Sequence, residues 1–241
     1  STSTRMSAEP KLKPFADCRL YGFVDSAYLD GRDPSDLASA LCDGGADLVQ
    51  VRAKDASESE VRRLVSAVLP ITRAAGVWCV LNDHWALGCE LGVPCVHLGQ
   101  EDFFDVGYRF VTDLPSAGFR PAIGLSSHAP EQFQRAEAAG ADYVAVGPVF
   151  PTGTKPGRAA VTLDYVRWAA GHATQPWFAI GGIHEGNLDE VLAAGAQRIC
   201  VVSAILRAPK TSRPWAWICA RAPMTFPPAS IARLREFQRR C

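Results

Sequence analysis

The chain has no excess of charge of either sign. Lysine and arginine together number 25, as do aspartate and glutamate, so the formal net charge is zero. A sequence-independent grip on nucleic acid draws on a basic surface, so that class of partner is set aside. Long apolar runs are also missing. None approaches the ~20 residues of a bilayer-spanning helix, so no membrane partner is expected. Residues Ser1 to Pro14 carry Arg5 and Lys11 but no apolar h-region, which argues against a secretory signal there. Residues 1–17 read instead as a flexible leader, with Met6 as a candidate internal start. No CxxC pair occurs among the eight cysteines. Cys79, Cys95 and Cys200 lie inside apolar segments, where cysteine behaves as a small buried hydrophobe. Reduced thiols and a cytoplasmic address are therefore expected. HExxH, HxxxH and Cys/His sets are absent, which leaves zinc without a ligand pattern.

Apolar segments and glycine-rich junctions are plentiful. Hydrophobic residues make up 48% of the 241, enough for one packed domain. Eight short apolar segments recur: Leu20–Asp25, Asp47–Arg52, Val77–Leu81, Cys95–Leu98, Pro121–Leu125, Asp142–Gly147, Pro176–Ile180 and Arg198–Val202. Helix-period stretches lie between most of them, among them Ser57–Ala74, Pro130–Ala139, Thr162–Gly171 and Gly186–Ala194. Strand then helix, eight times over, predicts the α/β class and a single (β/α)8 TIM barrel over residues 18–207. Similar helix-to-strand junctions at Gly44–Asp47, Ala138–Asp142 and Ala193–Ala196 support a repeated βα unit. Residues 208–228, rich in proline and tryptophan, carry no predicted element. Residues 229–241 read as a basic amphipathic helix closing the barrel.

The residues after each segment carry the chemistry, and in a barrel they share the C-terminal rim. Asp83 and Asp102 follow the third and fourth segments. Either one alone reads as a cap; together they suit one Mg2+, a hard ion that takes oxygen ligands and often a substrate phosphate. Gln50, Arg52 and Lys54 alternate along an extended strand end and so point the same way. Arginine holds phosphate bidentately and lysine as a point charge. Thr152, Thr154 and Lys155, with Gly153, offer hydroxyls, amides and an ammonium to an anion, although the spacing is not that of a P-loop. Gly181-Gly182 and Val202-Ser203 follow the last two segments, where barrels commonly bind a phosphate. His97, between Val96 and Leu98, reads as an oriented core or rim histidine. His128, in Ser126-Ser127-His128, follows a strand end and faces substrate in this reading.

Seven motifs in order resemble the thiamine-phosphate synthase family over about residues 20 to 207. They are Gln50–Lys54, Asn82-Asp83, His97–Asp102, Gly124–His128, Gly147–Lys155, Ile180–Ile183 and Val202–Ile205. The resemblance implies a Mg2+-dependent transferase that joins a hydroxymethylpyrimidine diphosphate to a thiazole phosphate. It further implies that Asp83 and Asp102 hold Mg2+. Gln50, Arg52, Lys54, Asn82, Ser126 and Lys155 would grip the diphosphate. Thr152 and Thr154 would line the thiazole side, and Gly182, Val202 and Ser203 would bind its phosphate. Lys155, Arg52 and Ser126 would carry catalysis, with Lys155 stabilising departing charge. The partners implied are small molecules, with a homo-oligomer compatible. Three places depart from the pattern: Ala86, Gly92-Val93-Pro94, and the tail after Lys210. The alternatives are a thiazole tautomerase using His128 as proton carrier, and a non-catalytic thiamine-phosphate sensor. Both make less use of the Asp83/Asp102 pair.

Overall fold

Each apolar segment becomes a strand, because alternate residues find a packed environment on both faces of a parallel sheet. The computed structural model describes residues 10–116, 118–151 and 160–207. Its strands are β1 (Leu20–Asp25), β2 (Leu48–Arg52), β3 (Trp78–Asn82), β4 (Cys95–Leu98), β5 (Ala122–Ser127), β6 (Tyr143–Val146), β7 (Trp177–Ile180) and β8 (Ile199–Cys200). All pair in parallel with their sequence neighbours, and β8 returns to β1 to close the barrel. The expected barrel forms. No helix of the described residues is long and apolar enough to cross a membrane.

The helices follow from local chemistry. In α1 (Pro34–Asp43), Asp33 accepts from the Ser35 and Asp36 amides, and Pro34 opens the first turn. In α2 (Glu58–Ala75), Ser57 caps the Glu60 amide and Gly76 ends the helix at φ +67°. Its buried stripe of Val61, Leu64, Val65, Val68 and Thr72 repeats at helical spacing and packs on the barrel. α3 (Trp85–Leu91), α4 (Pro130–Ala138), α5 (Thr162–His172), α6 (Leu188–Ala193) and α7 (Ser203–Leu206) complete the described set.

Three findings differ from the sequence reading. Between β4 and β5, the described residues form no α-helix, only a π-helical turn (Glu101–Asp105) and a 3-10 turn (Val111–Asp113). Gly107, Pro115, Gly118 and Pro121 interrupt that stretch, so no helical period develops. The leader expected to run to residue 17 already touches the barrel before that point, at Lys13 and Phe15. Phe15 is buried and stacks on Trp78 with ring centroids 4.3 Å apart. The Trp78 indole donates to the Lys13 carbonyl at 2.8 Å. The third difference is at Lys54, which lies past the end of β2 at Arg52 and leaves the strand line. The segments at 208–228 and 229–241 lie outside the described residues.

The junction repeats have a shared function at the N-terminal end of the barrel. Asp47 accepts from the Arg19 and Leu20 amides at 2.7 and 3.2 Å, and pairs with Lys13. Asp142 accepts from the Ile123 amide at 2.7 Å. In both Gly-Ala-Asp motifs, an aspartate before one strand ties down the start of the strand before it.

Candidate active site

The interior of the barrel is filled from below by aromatic rings and opens above them. Tyr21, Tyr143 and Phe178 meet edge to face, with centroids 5.4 to 5.9 Å apart. Phe15 underlies Tyr143 at 5.2 Å. Room for the Tyr143 ring comes from Gly124, where a Cβ would fall 2.1 Å from the ring. Burial pushes both phenols well above their ordinary range, so they remain protonated.

Above this floor lies a cavity whose walls are alternate strand residues. Tyr21 and Phe23 come from β1, Gln50 and Arg52 from β2, Phe178 and Ile180 from β7. Asn82, His97 and Ser126 add polar groups at the ends of β3 to β5. Gly181, Gly182, Val202 and Ser203 form the opposite side, beyond β7 and β8. Of the residues expected to bind substrate, the cavity thus gathers Gln50, Arg52, Asn82, Ser126, Gly182, Val202 and Ser203. His128 also lies on its wall, with Nδ1 bonded to the Gly147 carbonyl at 2.5 Å.

Arg52 has a partner that spacing did not reveal. Asp25, its register neighbour on β1, accepts from Nη1 at 2.8 Å. Asp25 also accepts from the Ala27 amide at 3.0 Å. The signal available was an aspartate at the end of an apolar strand, where a charge needs a partner. Arg52 therefore enters the cavity as an anchored donor.

Lys54 corrects the expected alternation. β2 ends at Arg52, and Lys54 sits exposed on the following turn, outside the cavity wall. The strand period that would have aligned it with Gln50 stops two residues earlier. Thr152, Thr154 and Lys155 lie outside the described residues.

Asp83 and Asp102 both follow strand ends on neighbouring strands, and neither is among the residues lining the cavity. The Asp83 amide donates to the His97 carbonyl at 2.9 Å, which ties the end of β3 to β4. Asp83 has φ +65°, a left-handed conformation that aspartate and asparagine tolerate better than most residues. Its carboxylate accepts from Asn82 Nδ2 at 2.6 Å, while the N-cap residue of α3 is His84. Asp102 is exposed in the π-helical turn and folds back over Gly99, where a Cβ would meet Oδ2 at 2.8 Å.

The glycine pair is required on steric grounds. Gly181 and Gly182 have φ +103° and +66°. A Cβ on Gly181 would fall 2.5 Å from Pro148, and one on Gly182 2.7 Å from Phe150. The same loops are laced together by the Val149 and Phe150 amides, which donate to the Ile180 and Gly181 carbonyls. Asn187, another residue not anticipated, donates to the Gly182 carbonyl at 2.9 Å and accepts from the His184 amide at 2.8 Å. With the Gly182 carbonyl held by Asn187, the loop keeps one orientation. The start of α7 adjoins it, and the first amides of a helix have no partner within it.

Comparison with known proteins adds to this geometry. A family model described as thiamine monophosphate synthase matches residues 20–205. A thiamine-phosphate synthase of Thermus thermophilus is 49% identical over 172 residues, covering 70% of this chain and 80% of the relative. That of Acidothermus cellulolyticus is 43% identical over 208 residues, covering 86% and 95%. Among solved structures, thiamine phosphate pyrophosphorylase from Pyrococcus furiosus superposes with a TM-score of 0.72 at 24% identity, covering 86% of this chain and 96% of that one. A 3-hexulose-6-phosphate synthase has the same fold at a TM-score of 0.59 and 17% identity, covering 85% of this chain and 99% of that one.

Proposed function

Since this chain belongs to the thiamine monophosphate synthase family and is a transferase, we propose that it joins hydroxymethylpyrimidine diphosphate to a thiazole phosphate, in hydroxyethyl or carboxylate form, giving thiamine phosphate and pyrophosphate. One observation supports this reading above the others. A single cavity carries Gln50, Arg52, Asn82 and Ser126 on one side and Gly181, Gly182, Val202 and Ser203 on the other. Two phosphorylated substrates need two such sets meeting over one reacting centre.

In the reaction, the carbon–oxygen bond to the diphosphate breaks and pyrophosphate leaves with the electron pair. The pyrimidine 4-amino group stabilises the resulting methyl cation, and the thiazole nitrogen lone pair forms the new carbon–nitrogen bond. No strong base is required, and what the protein supplies is placement and charge. Arg52, held by Asp25, donates to diphosphate oxygens. Gln50, Asn82 and Ser126 orient the pyrimidine half, and Lys155 meets the departing charge. Thr152, Thr154, Gly182 and the Val202 and Ser203 amides hold the thiazole side.

Asp83 and Asp102 are the residues that would hold Mg2+. The donor chemistry fits, with carboxylate oxygens from adjoining strand ends. Among the described residues no group of three or more His, Cys, Asp or Glu side chains is placed to enclose an ion. Two carboxylates would suit a hard ion such as Mg2+, which commonly takes substrate phosphate and water as its remaining ligands. When bound, the ion neutralises charge on the leaving pyrophosphate.

The test is to mix the protein with both substrates, with and without Mg2+, and follow pyrophosphate and thiamine phosphate. Mg2+-dependent formation of both supports the proposal. No product from a folded protein overturns it and directs the next assay to thiazole carboxylate isomerisation.

A further inference from the structure

Five side chains from five strands form one continuous line of hydrogen bonds across the barrel floor. Gln50 Nε2 donates to the Tyr21 hydroxyl at 2.5 Å. The Tyr21 and Tyr143 hydroxyls are 2.8 Å apart. Tyr143 lies 3.0 Å from His97 Nδ1, and His97 Nε2 lies 2.9 Å from Ser126 Oγ. All five residues are buried.

With the first bond in this sense, each buried hydroxyl proton finds an acceptor when every other bond runs the same way. An amide nitrogen donates and cannot accept. Tyr21 accepts from Gln50, and its own buried proton is satisfied by the Tyr143 oxygen 2.8 Å away. Tyr143, having accepted, spends its own on His97 Nδ1. An imidazole that accepts at Nδ1 carries its proton at Nε2 when neutral. His97 then donates to Ser126 Oγ, and the Ser126 hydroxyl proton is left for a group outside the line. The Ser126 side chain sits on the cavity wall, so that group is the bound molecule. Turning the Gln50 amide over would reverse all four bonds and leave Ser126 donating to His97.

We propose that Tyr21 and Tyr143 are positioning residues which, through His97, hold the Ser126 hydroxyl as a hydrogen-bond donor to substrate. Tyr143 touches no substrate in this arrangement; it acts by fixing where the histidine proton lies. The ligand chemistry implied at Ser126 is an acceptor, either an anionic oxygen or an unprotonated ring nitrogen. Gln50 and Ser126, both on the polar side of the cavity, thereby act as two ends of one device. The turnover arm of the test below rests on the synthase reading, and the spectroscopic arm does not.

The experiment is nitrogen NMR of the full chain labelled with 15N-histidine, with His97 assigned through its backbone. The expected result is a neutral ring protonated at Nε2. Protonation at Nδ1 would overturn the proposal whether or not the protein turns over substrate. In Tyr143→Phe, Nδ1 loses its donor, and the His97 ring shifts should move away from the locked pattern. Unchanged shifts would also overturn it. In the turnover arm, Tyr143→Phe and Ser126→Ala should each lower kcat/KM about tenfold, the effect of one lost oriented hydrogen bond. The double variant should be no worse than Ser126→Ala, because the two losses are one loss. Additive losses would mean that Tyr143 acts independently of Ser126, against the proposal. An inactive wild-type protein with the Nε2 proton in place would instead count against the synthase reading.

Discussion

The Arg52 guanidinium donates to the Asp25 carboxylate at 2.8 Å, with side-chain exposures of only 8% and 0%. They are register neighbours on β1 and β2, so the pair is built into the strand alignment itself. Removing one partner of such a pair leaves the other buried without its counter-charge. Asp25→Ala is expected to lose about 3–5 kcal/mol of stability, read as a fall in melting temperature. Asp25→Asn keeps the shape and loses the charge. It should raise the Michaelis constant for the pyrimidine diphosphate, as should Arg52→Ala. If only thiazole-phosphate affinity moved in these variants, the two sides of the cavity would be assigned the wrong way round.

Asp83→Asn separates the metal assignment from the fold. Asparagine tolerates the φ of +65° at this position, so the turn survives. Mg2+-dependent turnover should disappear while stability, read by thermal melting, stays within about 1 kcal/mol of the original. Full activity in this variant would rule out Asp83 as a ligand. Chelation of the original protein should reproduce the loss, and added Mg2+ should restore it.

Gly182→Ala and Gly92→Ala share a left-handed backbone but differ in surroundings. Gly92, at φ +65°, has nothing within 4 Å of the added Cβ, so only the backbone term of about 1–2 kcal/mol applies. At Gly182 the new atom would also meet Phe150 and Pro151 at 2.7 and 2.9 Å. Gly182→Ala should therefore cost more stability by thermal melting and raise the Michaelis constant for thiazole phosphate. Gly92→Ala should leave that constant unchanged. Equal kinetics in the two would detach Gly182 from the site.

Alkaline pH should destabilise the fold through its buried thiols. Burial pushes Cys18 and Cys79 from 9.0 up to about 12. A raised folded-state value favours the protonated native form, so the contribution is whole below pH 9 and lost as pH rises toward 12. Stability measured by denaturant titration should fall between those limits. Cys79→Ala should flatten part of that slope. A pH-independent stability over this window would contradict the burial argument.

Much of the barrel is written in local apolar segments. β1 and β4 run over the same residues that their hydrophobicity marks out, and α4 differs by a single residue at its end. The polar floor is another matter. Tyr21 and Tyr143 read in sequence as ordinary strand formers, since aromatic residues favour strands whatever their hydroxyls bond to. Their partnership joins residues 122 apart, and no spacing along the chain encodes it. Asp25 escapes a reading along the chain for a related reason: its partner lies on the next strand in register. Lys54 errs the other way, because period-two reasoning runs on past the residue where a strand stops. Gln50 and Ser126 stand out by their place at strand ends, but the line of bonds between them requires every intervening side chain.

Phe15 stacks on Trp78 below and meets the Tyr143 ring above. The N-terminal mouth of the barrel is thus joined to the floor of the cavity through aromatic side chains. A cut or graft just ahead of Cys18 would take away the footing of Tyr143, and the disturbance would surface at the far opening, where Ser126 meets what enters.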